Sequence, residues 1–311
     1  MSTFAFVYPG QGAQRPGMGR ALYEQYAPAR EAFALAGDVL EIDSKTLCFE
    51  TEEAVLARTE HAQVALFVVG MAAHWVLTSF GLTPAAVAGF SLGECTALCA
   101  AGFLTWDDGL RLVRARAQAM QRAADNRGGA MTAVLGLAWD TVEAICREAG
   151  GEAQPVNDNA PGQTVIAGTP DAVAAAGQRC REAGAMKVVP LALSAAFHTP
   201  DMAPAAETLR AAMAGFAVHP PRLPLYTNVT GDRLPDSADL PAHMALQMCS
   251  PVRWRRCVLS MAAAGADTFV EVGEGRTLLG LIKRIDRTRR LLPAATPADI
   301  EALRAFAPGG A

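Results

Sequence analysis

The sequence predicts a mixed α/β protein in which a larger part, built on a mainly parallel sheet with helices on its faces, is interrupted by a small ferredoxin-like module. Three observations lead there. Short apolar runs alternate with helical patterns in the first and last thirds of the chain, as βαβ units require. The stretch from Ala130 to Leu193 reads instead as β-α-β-β-α-β, the element order of a ferredoxin-like module. The 311 residues are 51% hydrophobic and 19% charged, enough to bury a large core and incompatible with a disordered or collagen-like chain. Residues 1–128 and 194–311 are therefore expected to form a discontinuous large domain and residues 129–193 a small one.

Thr3 to Tyr8 is a short buried strand that runs into the Gly-rich loop Gly10-Gln-Gly-Ala-Gln-Arg-Pro-Gly-Met-Gly19 and then a helix. Val64 to Leu82 is apolar over about the length of a bilayer-spanning helix. An interior His74 and the lack of flanking Lys or Arg make it a helix buried in a large domain. Ala85 to Gly89 is a second strand, Leu92 opens a helix, and Asp107 to Arg122 is another.

In the small module, Ala130 to Leu137 is a strand, and Asp140-Thr-Val-Glu143 has capping-box spacing for a helix reaching about Ala149. Strands near Ala153–Asn157 and Thr164–Gly168 are split by the turn residues Asn159-Ala-Pro-Gly162. Thr169 and Pro170 supply the cap and first position of a helix ending near Gly184, and Met186 to Leu193 closes the module as a strand. The large part resumes with helices around Pro200–Phe216 and Leu240–Gly265 and strands at Leu225–Val229 and Thr268–Val272. Gly273-Glu-Gly-Arg276 then turns the chain into a final helix, with a frayed tail over Ala305 to Ala311.

With 27 basic and 31 acidic side chains the formal charge is −4, which disfavours nucleic acid as the main target and points to small molecules and proteins. Seven cysteines without a Cys-x-x-Cys pair indicate neither a disulfide framework nor structural zinc. The first residues carry no basic region before an early Pro-Gly turn, so no secretory signal is expected and the cytoplasm is the expected compartment.

Gly89-Phe-Ser-Leu-Gly93 sits where a strand meets a helix, so its glycines allow a sharp elbow that exposes the Ser91 hydroxyl above a helix N-terminus. A nucleophilic serine needs a base. Among His61, His74, His198, His219 and His243, only His198 falls in a loop between the two parts of the fold, where a cleft would open. His74 reads as a core residue, His61 and His219 as surface loop residues, and His243 as a helical residue with no functional neighbour in sequence. No Asp lies on a strand end between Ser91 and His198, which implies a dyad oriented by something other than a carboxylate. Arg116 lies on a different helix face from Arg111 and Arg114, among Val113, Ala117 and Met120, and needs a carboxylate partner, whether structural or from a substrate. Arg276, Lys283, Arg284, Arg287, Arg289 and Arg290 form a basic C-terminal region, read as a solvated helix face or a dock for an acidic partner.

In this order and over about Phe4 to Ile285, several motifs make the chain resemble the malonyl-CoA:acyl-carrier-protein transacylase family. They are Gly10-Gln-Gly-Ala-Gln14, Gly89-Phe-Ser-Leu-Gly-Glu94, Arg111-Leu-Val-Arg-Ala-Arg116, Pro155-Val-Asn-Asp-Asn-Ala-Pro-Gly-Gln163, Ala196-Phe-His198, Gln247 and Glu271-Val-Gly-Glu-Gly275. The resemblance implies an α/β-hydrolase-like large domain with a ferredoxin-like insert. It implies Ser91 as nucleophile, His198 as general base and acid, and Gln247 as the residue whose backbone carbonyl orients the imidazole. Gln11 and Leu92 match the oxyanion-hole positions, and Arg116 matches the arginine that grips the malonyl carboxylate. The implied substrate is malonyl-CoA and the partner an acyl carrier protein, with no metal or cofactor; no membrane association is expected from the residues, and a monomer is the simplest expectation for a freely diffusing donor enzyme. Phe90 stands where many members carry His and Cys95 where an aromatic is common, while Phe197 matches the malonyl-type form of its motif. Rival readings are an acyl hydrolase, an inert carrier-binding subunit, and the transacylase component of a malonate decarboxylase.

Overall fold

The computed structural model describes residues 3–193 and 195–307. The chain runs through β1 (Phe4–Tyr8), α1 (Arg20–Gln25), α2 (Ala27–Leu40), α3 (Ser44–Phe49), α4 (Glu53–Leu56), α5 (Thr59–Ser79), β2 (Ala86–Gly89), α6 (Gly93–Ala101) and α7 (Trp106–Arg127). It continues through β3 (Ala130–Leu135), α8 (Trp139–Glu148), β4 (Ala153–Ala160), β5 (Gln163–Gly168), α9 (Pro170–Glu182) and β6 (Lys187–Pro190). It closes with α10 (Ala203–Ala212), β7 (Leu225–Tyr226), α11 (Leu240–Cys249), α12 (Trp254–Ala263), β8 (Thr268–Val272), α13 (Thr277–Ile285), β9 (Arg290–Ala294) and α14 (Pro297–Arg304).

Two sheets follow, as the alternation of elements predicts. One is fully parallel, in the order β7-β2-β1-β8-β9. Its central strands β1, β2 and β8 are buried along their whole length, which explains their continuous apolar runs. The other is antiparallel, in the order β4-β5-β3-β6, and packs α8 and α9 over its own core of Val134, Val142, Ile166 and Val173. This is the ferredoxin-like arrangement. The apolar α5 is buried against α2 and α7, and its His74 Nδ1 is hydrogen-bonded to the buried Tyr8 hydroxyl at 2.8 Å.

Several expectations need correction. No capping box forms at Asp140: α8 begins at Trp139, and its cap residue Ala138 has no polar side chain to accept a hydrogen bond. β4 runs on to Ala160 through two irregularities of register, because Val156 and Asp158 bond to Val252 from the larger part, so Asn159 belongs to the strand and not to the turn. The helical span from Leu240 divides before Pro251, whose ring excludes a helical Ser250. α13 is not final. β9 follows it at the sheet edge, where Pro293 leaves no inner ladder bond unmade, and α14 follows with a true capping box from Thr296 and Asp299.

The C-terminal basic residues are accordingly spread over α13, a turn and β9 and do not form one helix face. Arg276 pairs with Asp299, Arg289 with Asp286, and Arg290 lies over the Phe306 ring. Within the expected frayed tail, Phe306 packs edge-on against Phe4 at 5.8 Å, while residues 308–311 lie outside the described residues, as does Ser194 at the expected domain boundary. His61 is on α5 and not in a loop, and His219 is exposed between α10 and β7.

Candidate active site

The turn from β2 into α6 is tight enough to dictate its glycines. A Cβ on Gly89 would fall 1.8 Å from the Gly93 carbonyl carbon, and one on Gly93 would fall 2.1 Å from the Tyr8 carbonyl oxygen. With both strand and helix backbones in contact, Ser91 is forced to φ 51°, a left-handed conformation that a non-glycine residue adopts only when its surroundings hold it there. His198, in the loop after β6, is likewise left-handed at φ 63°. Two of the three non-glycine residues with positive φ among the described residues are thus these two, and their side chains meet: Ser91 Oγ lies 2.8 Å from His198 Nε2.

The other ring nitrogen fixes the tautomer. His198 Nδ1 lies 3.0 Å from the Gln247 carbonyl oxygen, which can only accept, so Nδ1 carries the proton and Nε2 accepts from the serine hydroxyl. Burial first, and the nearby Arg116 cation second, lower the His198 pKa to about 4, which keeps the imidazole neutral at physiological pH and so free to accept a proton. No carboxylate is needed to orient it.

Arg116 projects from α7 into the same place and is fully buried. Its Nη1 donates to Gln63 Oε1 at 2.7 Å, and its Nη2 donates to Ser91 Oγ at 3.1 Å and to Gln247 Oε1 at 3.2 Å. Its Nε has no partner, and none of its partners is a carboxylate, which answers the question the sequence left open. Burial lowers its pKa, with no change in its charge at neutral pH. A buried cation held only by neutral groups is a strong receptor for an anion entering from the cavity.

That cavity, of about 260 Å³, opens between the two sheets and is lined by Gln11, Ser91, His198, Met131, Asn157 and Leu281 among others. Among the described residues, the backbone N–H groups of Gln11 and Leu92 have no protein acceptor, and Leu92 sits at the N-terminus of α6. The Gln11 loop is anchored by the Arg15–Glu274 ion pair at 2.7 Å. In the cavity wall Asn159 Oδ1 is buried without a donor. Phe90 turns its ring onto Trp254 at 5.7 Å, so no hydrogen-bonding group replaces the His common at that position.

All six residues expected from the sequence lie in or beside this site. Sequence reasoning missed Gln63, whose one signal is an amide at the edge of an apolar helix. It also missed Asn228, Glu94 and His243, which lie beneath the elbow. His243 does have a functional neighbour: its Nε2 lies 2.6 Å from Glu94 Oε1, a contact invisible in sequence because 149 residues separate the two. A serine beside a neutral imidazole, with free N–H donors and a cation at hand, can carry an acyl group bearing a carboxylate.

Comparison with known proteins agrees with this chemistry. The acyl transferase domain family matches residues 5–289. The malonyl CoA-acyl carrier protein transacylase of Bacillus subtilis is 37% identical over 304 residues, 97% of this chain and 96% of the relative. The crystal structure of malonyl-CoA:acyl carrier protein transacylase from Xanthomonas oryzae pv. oryzae superposes with a TM-score of 0.94 at 44% identity, covering 99% of both chains. A malonyl-transacylase solved in complex with a type II PKS acyl-carrier protein gives a TM-score of 0.94 at 35% identity over 98% of this chain and all of that one. The chain is an acyltransferase and belongs to the malonyl-CoA:acyl-carrier-protein transacylase family.

Proposed function

We propose that the protein moves a malonyl group from malonyl-CoA to the phosphopantetheine thiol of an acyl carrier protein, by a ping-pong route through malonyl-Ser91. His198 takes the hydroxyl proton as Ser91 Oγ attacks the thioester carbonyl, and the Gln11 and Leu92 N–H groups donate to the oxyanion. Collapse breaks the C–S bond, and CoA leaves with the proton from the imidazolium. The carrier thiol then gives its proton to His198 and attacks the ester; the second collapse returns the proton to Ser91. Throughout, Arg116 grips the malonyl carboxylate.

One observation carries this reading: the fully buried Arg116 has no carboxylate partner yet lies 3.1 Å from the candidate nucleophile. A hydrolase for uncharged acyl groups gains nothing from such a cation. Moving an acyl group from one thiol to another needs no redox partner, so we assign no cofactor, and we take the enzyme to act as a monomer in the cytoplasm.

Intact-protein mass spectrometry after mixing with malonyl-CoA, then with holo acyl carrier protein, tests the proposal. The expected result is a malonyl adduct that is absent in Ser91→Ala and is discharged onto the carrier. An adduct that only hydrolyses, leaving the carrier unloaded, overturns it.

A further inference from the structure

We propose that Asn228, held in place by Glu94 and His243, is a positioning residue that locks the elbow so that the Ser91 hydroxyl faces His198. The inference rests on reading Ser91 as the nucleophile.

Asn228 lies just past β7, is 1% exposed, and has all four of its polar groups engaged. Its Oδ1 accepts from the Ser91 backbone N–H at 2.6 Å, and its Nδ2 donates to the Gly89 carbonyl at 2.7 Å. One side chain therefore clamps the two peptide groups on either side of Phe90, where the chain leaves the strand and becomes left-handed. Its own N–H donates to Glu94 Oε2 at 2.8 Å, and its carbonyl accepts from Arg253 N–H at 2.9 Å. Glu94, fully buried on the first turn of α6, is engaged at both oxygens, the second by His243 Nε2 at 2.6 Å.

None of Asn228, Glu94 and His243 lines the cavity, yet each link bears on the strained turn. On the β1 side the ladder reaches the elbow, where the Phe90 N–H donates to the Tyr8 carbonyl at 3.0 Å, but on the β7 side it ends at Ala88 and Tyr226, and there the Asn228 side chain continues it. Without the clamp, Ser91 keeps the bond from Gln247 to its carbonyl but loses the one that holds its N–H, so φ can relax from 51° toward ordinary backbone, which swings Oγ away from Nε2. The carboxylate of Glu94 suits its place because each of its two oxygens accepts from a different donor, whereas an amide would set an NH2 donor against one of them.

The test measures the rate of Ser91 labelling, per folded molecule, by a fluorophosphonate serine probe and by malonyl-CoA, for wild type, Asn228→Ala, Asn228→Asp and Glu94→Gln. We expect Asn228→Ala to slow labelling by both reagents about tenfold or more, with KM for malonyl-CoA within about twofold of wild type. Asn228→Asp keeps the acceptor for Ser91 N–H but loses the donor to Gly89, so its rate should fall between the two. A merely structural role lowers the folded fraction and leaves the rate per folded molecule unchanged. Labelling of Asn228→Ala at the wild-type rate overturns the proposal; should that variant not fold, wild-type rates in both Asn228→Asp and Glu94→Gln do so. Because the probe reads the hydroxyl without malonyl recognition, a wild-type protein labelled by the probe but not by malonyl-CoA overturns the malonyl assignment alone.

Discussion

Arg116 Nη2 lies 3.1 Å from Ser91 Oγ, on a guanidinium that is fully buried and held by two glutamine side chains and the serine. Replacing the guanidinium should therefore act on what the serine carries more than on the serine itself. Arg116→Ala is expected to lower kcat/KM for malonyl-CoA about a hundredfold, the scale of a lost buried charge-assisted pair, while acetyl-CoA transfer is spared or improved. Steady-state rates with both thioesters check this; equal losses would remove the clamp role.

The depressed pKa of His198 sets the acid limb of activity. Its catalytic form is the neutral one, which predominates above about 4, so kcat/KM should be flat from about pH 5 upward on this limb and fall below it. Because Arg116 is the second cause of the depression, Arg116→Ala should move the inflection upward, toward the ordinary histidine value. A limb centred near 6.5 in the wild-type enzyme would contradict the buried, cation-facing imidazole.

Stability should follow the same groups. His198 and His74 are both lowered to about 4 from 6.5, so the unfolded chain binds more protons, and their contribution is complete above 6.5 and lost as pH falls toward 4. Glu271, pushed up to about 6 by burial against the backbone N–H bonds it accepts at the start of α13, has the opposite sign: its contribution is present below 4.5 and lost as pH rises through 6. Two imidazoles outweigh one carboxyl, so urea midpoints should rise between about pH 5 and about pH 7. A midpoint that falls over that range would show that the carboxyl dominates.

Gln247 has two separable parts. Its carbonyl holds His198, while its side chain donates to the Ser91 carbonyl at 2.8 Å and accepts from Arg116. Gln247→Ala should lower kcat about tenfold and leave the acid limb in place, since the carbonyl remains. Gln247→Glu places a resident carboxylate on Arg116 and should cost malonyl transfer far more than acetyl transfer, a ratio read from paired substrate assays.

Gly89→Ala forces a methyl group into the Gly93 backbone and should prevent the elbow from forming. The expected outcome is insoluble protein or a Tm lower by about 10 °C, with no Ser91 labelling. A soluble, active variant at the wild-type Tm would mean that strand and helix do not approach as closely as described.

What the sequence determined by itself was whatever depends on near neighbours. Continuous apolar runs set β1, β2, β8 and the buried α5; the two glycines set the elbow; Thr169 and Pro170 set the start of α9. The elbow and its context pointed to Ser91 and His198, and the family resemblance carried by the ordered motifs pointed to Arg116, Gln247, Gln11 and Leu92. The capping box at Asp140 failed because a short pattern is only an offer, which the chain takes up when the preceding backbone turns the right way. β9 escaped notice because an edge strand with an internal proline reads as a loop until its partner β8 lies beside it. Tertiary structure alone decided that Arg116 has no structural carboxylate and that Gln63 holds it, and it alone brought Asn228, Glu94 and His243 under the elbow. Those contacts join residues from 53 to 149 positions apart, and no local propensity encodes a hydrogen bond whose two ends are brought together only by packing one sheet, its helices and a second sheet into one core.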